Sequence, residues 1–410
     1  MKRFRRVVFW LHLSAGSVAG LVIGIMAVTG VLLAFEPQIL RMADGSVRRL
    51  PAPGEGGRLA AGELLSRVRR ARPQDAPRDL TVFADPTAAA SVSLGRDRAL
   101  FVDPRDGTVL GDGSRRARAF FRVVTGWHRW LGAGEENGAL PRAVTGACNA
   151  AFLVLAVSGL YLWWPREWTK RQLARIGWFE GGLAGKARDW NWHNAIGFWC
   201  APVLIVLTAS GMVISYPWAS DLVYRIAGET PPPRRNAGPS SSRTPAPGTR
   251  PAQAARPGGD APAWPDAATL DRFWERAARH SPGWQSLMIR APRREGDAIA
   301  FTIREAGARS WQRSSLTLDG QTGEVEKWEP YSAATRGRKA RLLLRFLHTG
   351  EAAGLFGQIL AGLASLGGAF LVYTGLSLAL RRFAAWTRGL ARAGNGRARS
   401  PLVETPEDAA

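Results

Sequence analysis

Four apolar runs divide the chain, and each is long enough to cross a bilayer. The first is His12–Gly30, HLSAGSVAGLVIGIMAVTG, and a later one, His193–Gly211, HNAIGFWCAPVLIVLTASG, repeats its spacing. Both read His, three residues, Gly, and then a Thr-Gly or Ser-Gly pair 17 and 18 positions past the His (Thr29-Gly30, Ser210-Gly211). The other two lie near Pro141–Trp164 and Gln358–Leu380. They too follow a His (His128, His348) and carry a Ser-Gly or Thr-Gly near the far end (Ser158-Gly159, Thr374-Gly375). A helix of about 20 residues rising 1.5 Å per residue covers a hydrocarbon core of roughly 30 Å, so four membrane helices are predicted, each led by an imidazole.

Between the runs the pattern changes. In the loop from Glu36 to Arg118, a helical stretch Arg58–Ala71 is followed by short alternating strands at Leu80–Ala84, Ala90–Leu94 and Ala99–Val102. The turn DPRDGTVLG (Asp103–Gly111) closes the series, with Pro104 and Gly107 supplying the fixed and the positive φ. The second loop has the same order: helix Ala267–Arg279, strands near Trp284–Arg290, Ala298–Arg304 and Trp311–Leu318, then DGQTGEVEKW. Each loop therefore reads as one small α+β module. Glu229–Ala263, rich in Pro, Gly, Ser and Arg, cannot form a core and reads as a disordered tether.

The resulting map places a first membrane helix in 1–36, a module in 37–112, an outer-face helix and second membrane helix in 113–165, and a loop in 166–190. A third membrane helix follows in 191–217, a tether in 218–263, a second module in 264–330, an outer-face helix and fourth membrane helix in 331–384, and a tail in 385–410. The fold class is thus an α-helical membrane protein with four transmembrane helices and two extramembrane α+β modules. Helix, module, helix occurs twice, and because each copy has an even number of spans the two form a parallel repeat.

Charge sets the orientation. The net charge of +22 would suggest nucleic acid in a protein without spans, but no zinc finger, helix-turn-helix or RNA-binding signature aims the arginines at bases, so no nucleic acid is expected. Lys2, Arg3, Arg5 and Arg6 precede the first span; Arg166, Lys170, Arg171, Arg175, Lys186 and Arg188 lie between the second and third; Arg381, Arg382 and Arg388 follow the fourth. Basic residues in short segments mark the cytoplasmic side, which puts both termini there and both long loops outside. The basic N-terminus and long apolar run read as an uncleaved anchor, since no small-x-small cleavage site follows the run before Glu36-Pro37. Cys148 and Cys200 both fall in apolar runs, so no disulfide framework is indicated.

Topology sorts the histidines. His12 and His193 begin outward-going helices at the cytoplasmic face, whereas His128 and His348 precede inward-going helices at the outer face. Ionisable groups at membrane depth are functional candidates, and two imidazoles per face suit one bis-histidine haem b at each side, with the four histidines as axial ligands of iron. His280, the fifth, has no counterpart in the first loop and reads as a surface residue. Gly16, Gly132 and Gly197 after three of the imidazoles suit close approach of a flat ring or simple helix packing. Met26 and Met212 are alternative axial ligands or apolar filling. Trp10, Trp127, Trp130, Trp163, Trp192, Trp199 and Tyr373 would pack porphyrins or form an interfacial aromatic belt. Arg122, Arg129 and Arg345 would pair with propionates, an anionic substrate or lipid headgroups.

The HxxxG-led helices, the Ser/Thr-Gly pairs, the WHRWLG and FLHTGE segments and the DP-x-x-G-x-V turn resemble the PepSY-associated transmembrane family, which includes iron-regulated inner-membrane proteins of bacteria. The likeness covers nearly the whole chain except the tether and the last 20 residues. It implies PepSY-like modules in the periplasm, a bacterial inner (plasma) membrane location, and similarity to haem-containing ferric-siderophore reductases. The function expected is an enzyme: transmembrane, haem-dependent reduction of a ferric siderophore or other ferric chelate for iron release. The chain carries no GxGxxG after a strand and no CxxC, so electrons would come from a flavin, a flavoprotein or a quinol. The competing readings are a metal, siderophore or haem binding and transport protein without redox catalysis, and a scaffold whose outer modules bind envelope partners.

Overall fold

The computed structural model describes residues 2–50, 57–95, 97–134, 138–165, 169–233, 262–309 and 311–397. The central part of the tether, the turn opening the first loop and the end of the tail lie outside the described residues. In chain order the elements begin α1 (Lys2–Ala34), α2 (Glu36–Ala43), α3 (Gly45–Arg48) and α4 (Ala61–Ala71), then β1 (Asp79–Phe83), β2 (Ala90–Ser93), β3 (Ala99–Val102) and β4 (Val109–Asp112). Next come α5 (Arg115–Trp130), α6 (Ala139–Trp163), α7 (Lys170–Gly177), α8 (Gly185–Ser215), α9 (Pro217–Ile226) and α10 (Ala267–His280). The chain continues with β5 (Ser286–Arg290), β6 (Ile299–Arg304), β7 (Ser314–Leu318), β8 (Val325–Glu329), α11 (Arg336–His348) and α12 (Gly354–Arg397).

Two compact units result. The first is built from the stretches 1–34, 124–216 and 347 onward, and the second from 35–123 and 217–346. Among the described residues, the first unit holds four helices long and apolar enough to cross a membrane: α1, α6, α8 and the apolar part of α12. They neighbour one another in the cyclic order α1, α12, α8, α6. The outward faces stay apolar, with Val18 86% and Leu21 72% exposed, which only a lipid solvent tolerates over such lengths. The chain is a multi-pass membrane protein. Small residues let the helices close up: a β-carbon at Gly367 would stand 2.4 Å from Cys200 Sγ. Both cysteines are free.

In the second unit the strands of both loops join one antiparallel sheet of eight, in the order β4-β3-β2-β1-β5-β6-β7-β8. The sequence read two modules with three strands each; their strands share one sheet, and the outer strands β4 and β8 occupy residues read as turns. The seam is β1 against β5, from Asp79↔Arg290 to Phe83↔Ser286. Alternation sets the faces. Leu80, Val82, Leu287, Ile289, Phe301 and Leu316 point to one side, where Leu64, Leu65 and Val68 of α4 and Leu270, Phe273 and Ala277 of α10 complete a single core. Burying each such side chain contributes roughly 1.5–3 kcal/mol. α4 and α10 touch where Gly62 meets Ala267, so closely that a β-carbon at Gly62 would fall 2.2 Å from the Ala267 carbonyl oxygen. The turn glycine Gly107 has φ +74° and its counterpart Gly323 has φ +70°.

Candidate functional site

Each of the four helix-leading histidines lies in the bundle unit, and each ring is met by the Ser/Thr-Gly pair of a neighbouring helix. His12 Nδ1 of α1 is 2.9 Å from Ser158 Oγ of α6, and His193 Nδ1 of α8 is 2.9 Å from Thr374 Oγ1 of α12. At the other end, His128 Nδ1 of α5 is 2.9 Å from Thr29 Oγ1 of α1. His348 Nδ1 of α11 is 3.3 Å from Ser210 Oγ of α8 and donates to the Leu207 carbonyl at 2.8 Å. The glycine after each hydroxyl residue leaves room for the ring. A β-carbon would stand 3.3 Å from His12 Cε1 at Gly159, 3.2 Å from His193 Cε1 at Gly375, 3.2 Å from His348 Cε1 at Gly211 and 3.7 Å from His128 Cε1 at Gly30.

The rings come together in two pairs. The ring centres of His12 and His193 are 6.4 Å apart with planes at 85°, and those of His128 and His348 are also 6.4 Å apart with planes at 57°. That spacing can be tested against a metal held between two imidazoles. A five-membered ring with sides of about 1.3 Å puts its nitrogen roughly 1.1 Å from the ring centre. With a metal–nitrogen bond of about 2 Å, two ring centres across one metal are about 6.3 Å apart. Both pairs fit. Among the described residues no three His, Cys, Asp or Glu gather as a metal cluster. Two imidazoles at this spacing suit a metal whose remaining positions a macrocycle fills, as in haem. Along α1, His12 and Thr29 are 17 residues apart, a rise of about 25 Å, so the pairs lie at opposite ends of the bundle.

The two helices that carry His128 and His348 are held at their other ends by carboxylates. Asp44, 1% exposed, accepts from the Ser114 amide at 2.8 Å and from both terminal nitrogens of Arg118, at 3.0 and 2.6 Å. Burial pulls the Asp44 carboxyl up, but the Arg118 guanidinium and the Ser114 amide outweigh it and hold the group below the usual carboxylate range. Glu229 occupies the matching place before α11 and accepts from the Gly337 amide at 3.1 Å. The Thr335 hydroxyl and the Gly337 and Arg336 amides lower its pKa. Negative charge at a helix N-terminus also suits the helix dipole. A β-carbon at Gly337 would lie 2.5 Å from the Tyr224 ring and 2.6 Å from Glu229 Oε2, so glycine lets both come close to the helix start.

Other residues singled out by sequence are placed as follows. Gly16 and Gly197 meet Leu155 and Leu371 of neighbouring helices, and Gly132, with φ +82°, meets Trp127; the glycines that clear the imidazoles are those of the Ser/Thr-Gly pairs. Trp163 stacks on Phe198 at 4.1 Å, and its indole N–H donates to Ile176 O, while the Trp199 indole donates to Gly177 O, so both fasten α7 to the bundle. Trp10, Trp127 and Tyr373 are exposed, as belt residues are, and Trp130 is buried beneath the Arg129 guanidinium. Trp192 has Phe179 against its edge and the Arg188 guanidinium over its face. Arg122 pairs with Asp97 at 2.5 Å, and Arg345 lies over Phe346. Met26 and Met212 are half-buried in α1 and α8. His280 is exposed, with its ring against Trp328.

Sequence reasoning missed Asp189. This carboxylate, 1% exposed and one turn before His193, accepts from Ser377 at 2.7 Å and pairs with Arg188 and Arg381. It forms a second α8–α12 bridge beside His193–Thr374, and its position four residues before a histidine was the only signal available. No curated protein matches the sequence. The model of the PepSY-associated TM region matches residues 9–382, nearly the whole length, and the chain belongs to that family.

Proposed function

We propose that this protein is a di-haem ferric-chelate reductase of the bacterial inner membrane, with both termini cytoplasmic and the eight-stranded sheet in the periplasm. The observation that carries the proposal is the pair of neighbouring imidazoles, 6.4 Å centre to centre, at each end of one bundle. His12 and His193 would hold one haem b near the cytoplasmic face, and His128 and His348 another near the periplasmic face. Haem supplies reversible one-electron chemistry when bound between two such imidazoles.

The chain's own contribution is placement. Ser158, Thr374, Thr29 and Ser210 orient the rings, and the glycines after them admit the rings between helices. The apolar helices keep water from the space between the two ends. Asp44 and Glu229 anchor the helices that present the periplasmic pair. The twofold recurrence of these contacts supports a parallel repeat of helix, PepSY-like module, helix. The substrate is a ferric siderophore or other ferric chelate in the periplasm: hard oxygen chelators hold Fe³⁺ far better than Fe²⁺, so adding one electron releases the iron. The electron comes from a cytoplasmic flavin or flavoprotein, or from quinol.

Purified protein in detergent tests this directly. Sharp haem bands are expected on dithionite reduction, followed by their reoxidation when a ferric siderophore is added without oxygen. Bands that persist after the chelate is added would favour a haem-holding or transport protein. Protein without bands would end the proposal.

A further inference from the structure

The hydroxyl protons at the four ring contacts can be accounted for one by one. Thr29 Oγ1–H donates to Ile25 O of its own helix at 2.6 Å, Thr374 Oγ1–H to Phe370 O at 2.8 Å, and Ser210 Oγ–H to Val206 O at 2.6 Å. Ser158 Oγ–H donates to the Leu155 carbonyl at 3.4 Å, the longest of the four. A hydroxyl has one proton. Once that proton is given to the helix backbone, the oxygen can only accept from the imidazole, so Nδ1 must carry the hydrogen. For His348 a backbone carbonyl three residues before the hydroxyl gives the same answer independently: Leu207 O lies 2.8 Å from its Nδ1. A carbonyl cannot donate.

We infer that Ser158, Thr374, Thr29 and Ser210 are positioning residues that lock all four histidines as Nδ1–H tautomers, leaving each Nε2 lone pair to bind metal and raising its basicity. The inference rests on the haem reading for its consequence but not for the tautomer itself. An imidazole that donates through Nδ1 is a stronger ligand through Nε2. It favours the ferric state and lowers the reduction potential of the iron it holds. Both ends of the bundle carry this device, but unequally. His348 has a short carbonyl bond and a long hydroxyl bond, so it depends least on its hydroxyl. His12 depends most, because Ser158 Oγ, at 2.9 Å, is the partner its Nδ1 has among the described residues.

Two measurements test this on the full-length chain in detergent. Nitrogen NMR of ¹⁵N-histidine-labelled, haem-depleted protein should show four Nδ1-protonated neutral rings besides His280. An Nε2–H tautomer at any of the four overturns the assignment there, whether or not the wild type binds haem. In haem-loaded protein, Ser158→Ala, Thr374→Val and Thr29→Val should each shift the potential of one haem upward, with full haem content retained or partly lost. Ser210→Ala should give the smallest shift, and Thr374→Ser should restore the wild-type value. Four variants with unchanged potentials would overturn the tuning role. Wild-type protein that takes up no haem would instead remove the proposed function while leaving the NMR result to decide the tautomers.

Discussion

The two histidine pairs have the same spacing and are built differently. His12 and His193 lie inside membrane helices, about two to three turns past the first residues of α1 and α8, so the bundle that crosses the membrane also places the rings. His128 and His348 lie near the ends of separate helices, α5 and α11, that begin among extramembrane residues. Those helices owe their start to Asp44 and Glu229, which lie more than 60 residues away in sequence from the amides they cap. One pair is local to the bundle. The other depends on carboxylates at the far end of its helices, so it is the pair that sequence changes outside the membrane can disturb.

The largest expected effects separate the pairs outright. Replacing His12 or His193 by Ala should remove the same half of the bound haem, and the double replacement should remove no more. His128→Ala and His348→Ala should behave alike toward the other half, as pyridine haemochrome content and spectra would report. If His12→Ala and His128→Ala deplete one common haem, the pairing by bundle end is wrong. Next in size is Asp44→Ala, which strands the 16% exposed Arg118 and should cost about 3–5 kcal/mol of local stability. Its haem loss should fall on the His128/His348 half alone; equal loss from both halves would show that the two pairs share their support. Glu229→Ala should act in the same direction more weakly.

Acid should sharpen the same contrast. Asp44 and Glu229 both have depressed pKa values, so each contributes stability that is fully present above the ordinary carboxylate range and fades as pH falls through about 4 and below. Titrated downward, the His128/His348 half should release haem before the other half, and in Asp44→Ala much of that extra sensitivity should be gone. Coincident release in wild-type protein would count against the anchoring role. The smallest expected effect is that of His280→Ala. Its exposed ring on Trp328 belongs to neither pair, and haem content and chelate reduction should be unchanged.

Much of the fold is legible in the chain because hydrophobic period and length carry it. The spans at Pro141–Trp164 and Gln358–Leu380 are visible as apolar runs, and α6 and α12 occupy them. β4 and β8 are not legible, since VLGD and VEKWE have little apolar alternation and are held as strands by Leu100, Phe101, Leu316 and Thr317 on the strands beside them. The four histidines stand out because the chain has only five and four recur in register. Their hydroxyl partners stood in the same repeat as Ser/Thr-Gly pairs, but which pair meets which ring is a matter of which helices adjoin.

By itself, then, the sequence determined four spans with the apolar surface that lipid requires, two α+β stretches and a set of imidazoles at the helix starts. All of these depend on residue type and spacing along one segment. Tertiary structure decided the rest. It joined Asp79–Phe83 to Ser286–Arg290 as the seam of one sheet, brought Ser158 to His12 and Thr374 to His193, and set both ring pairs at 6.4 Å. Each of these links residues from different elements, some more than 200 positions apart, and is fixed by the packing of helices and strands against one another. No period within a single segment encodes that packing.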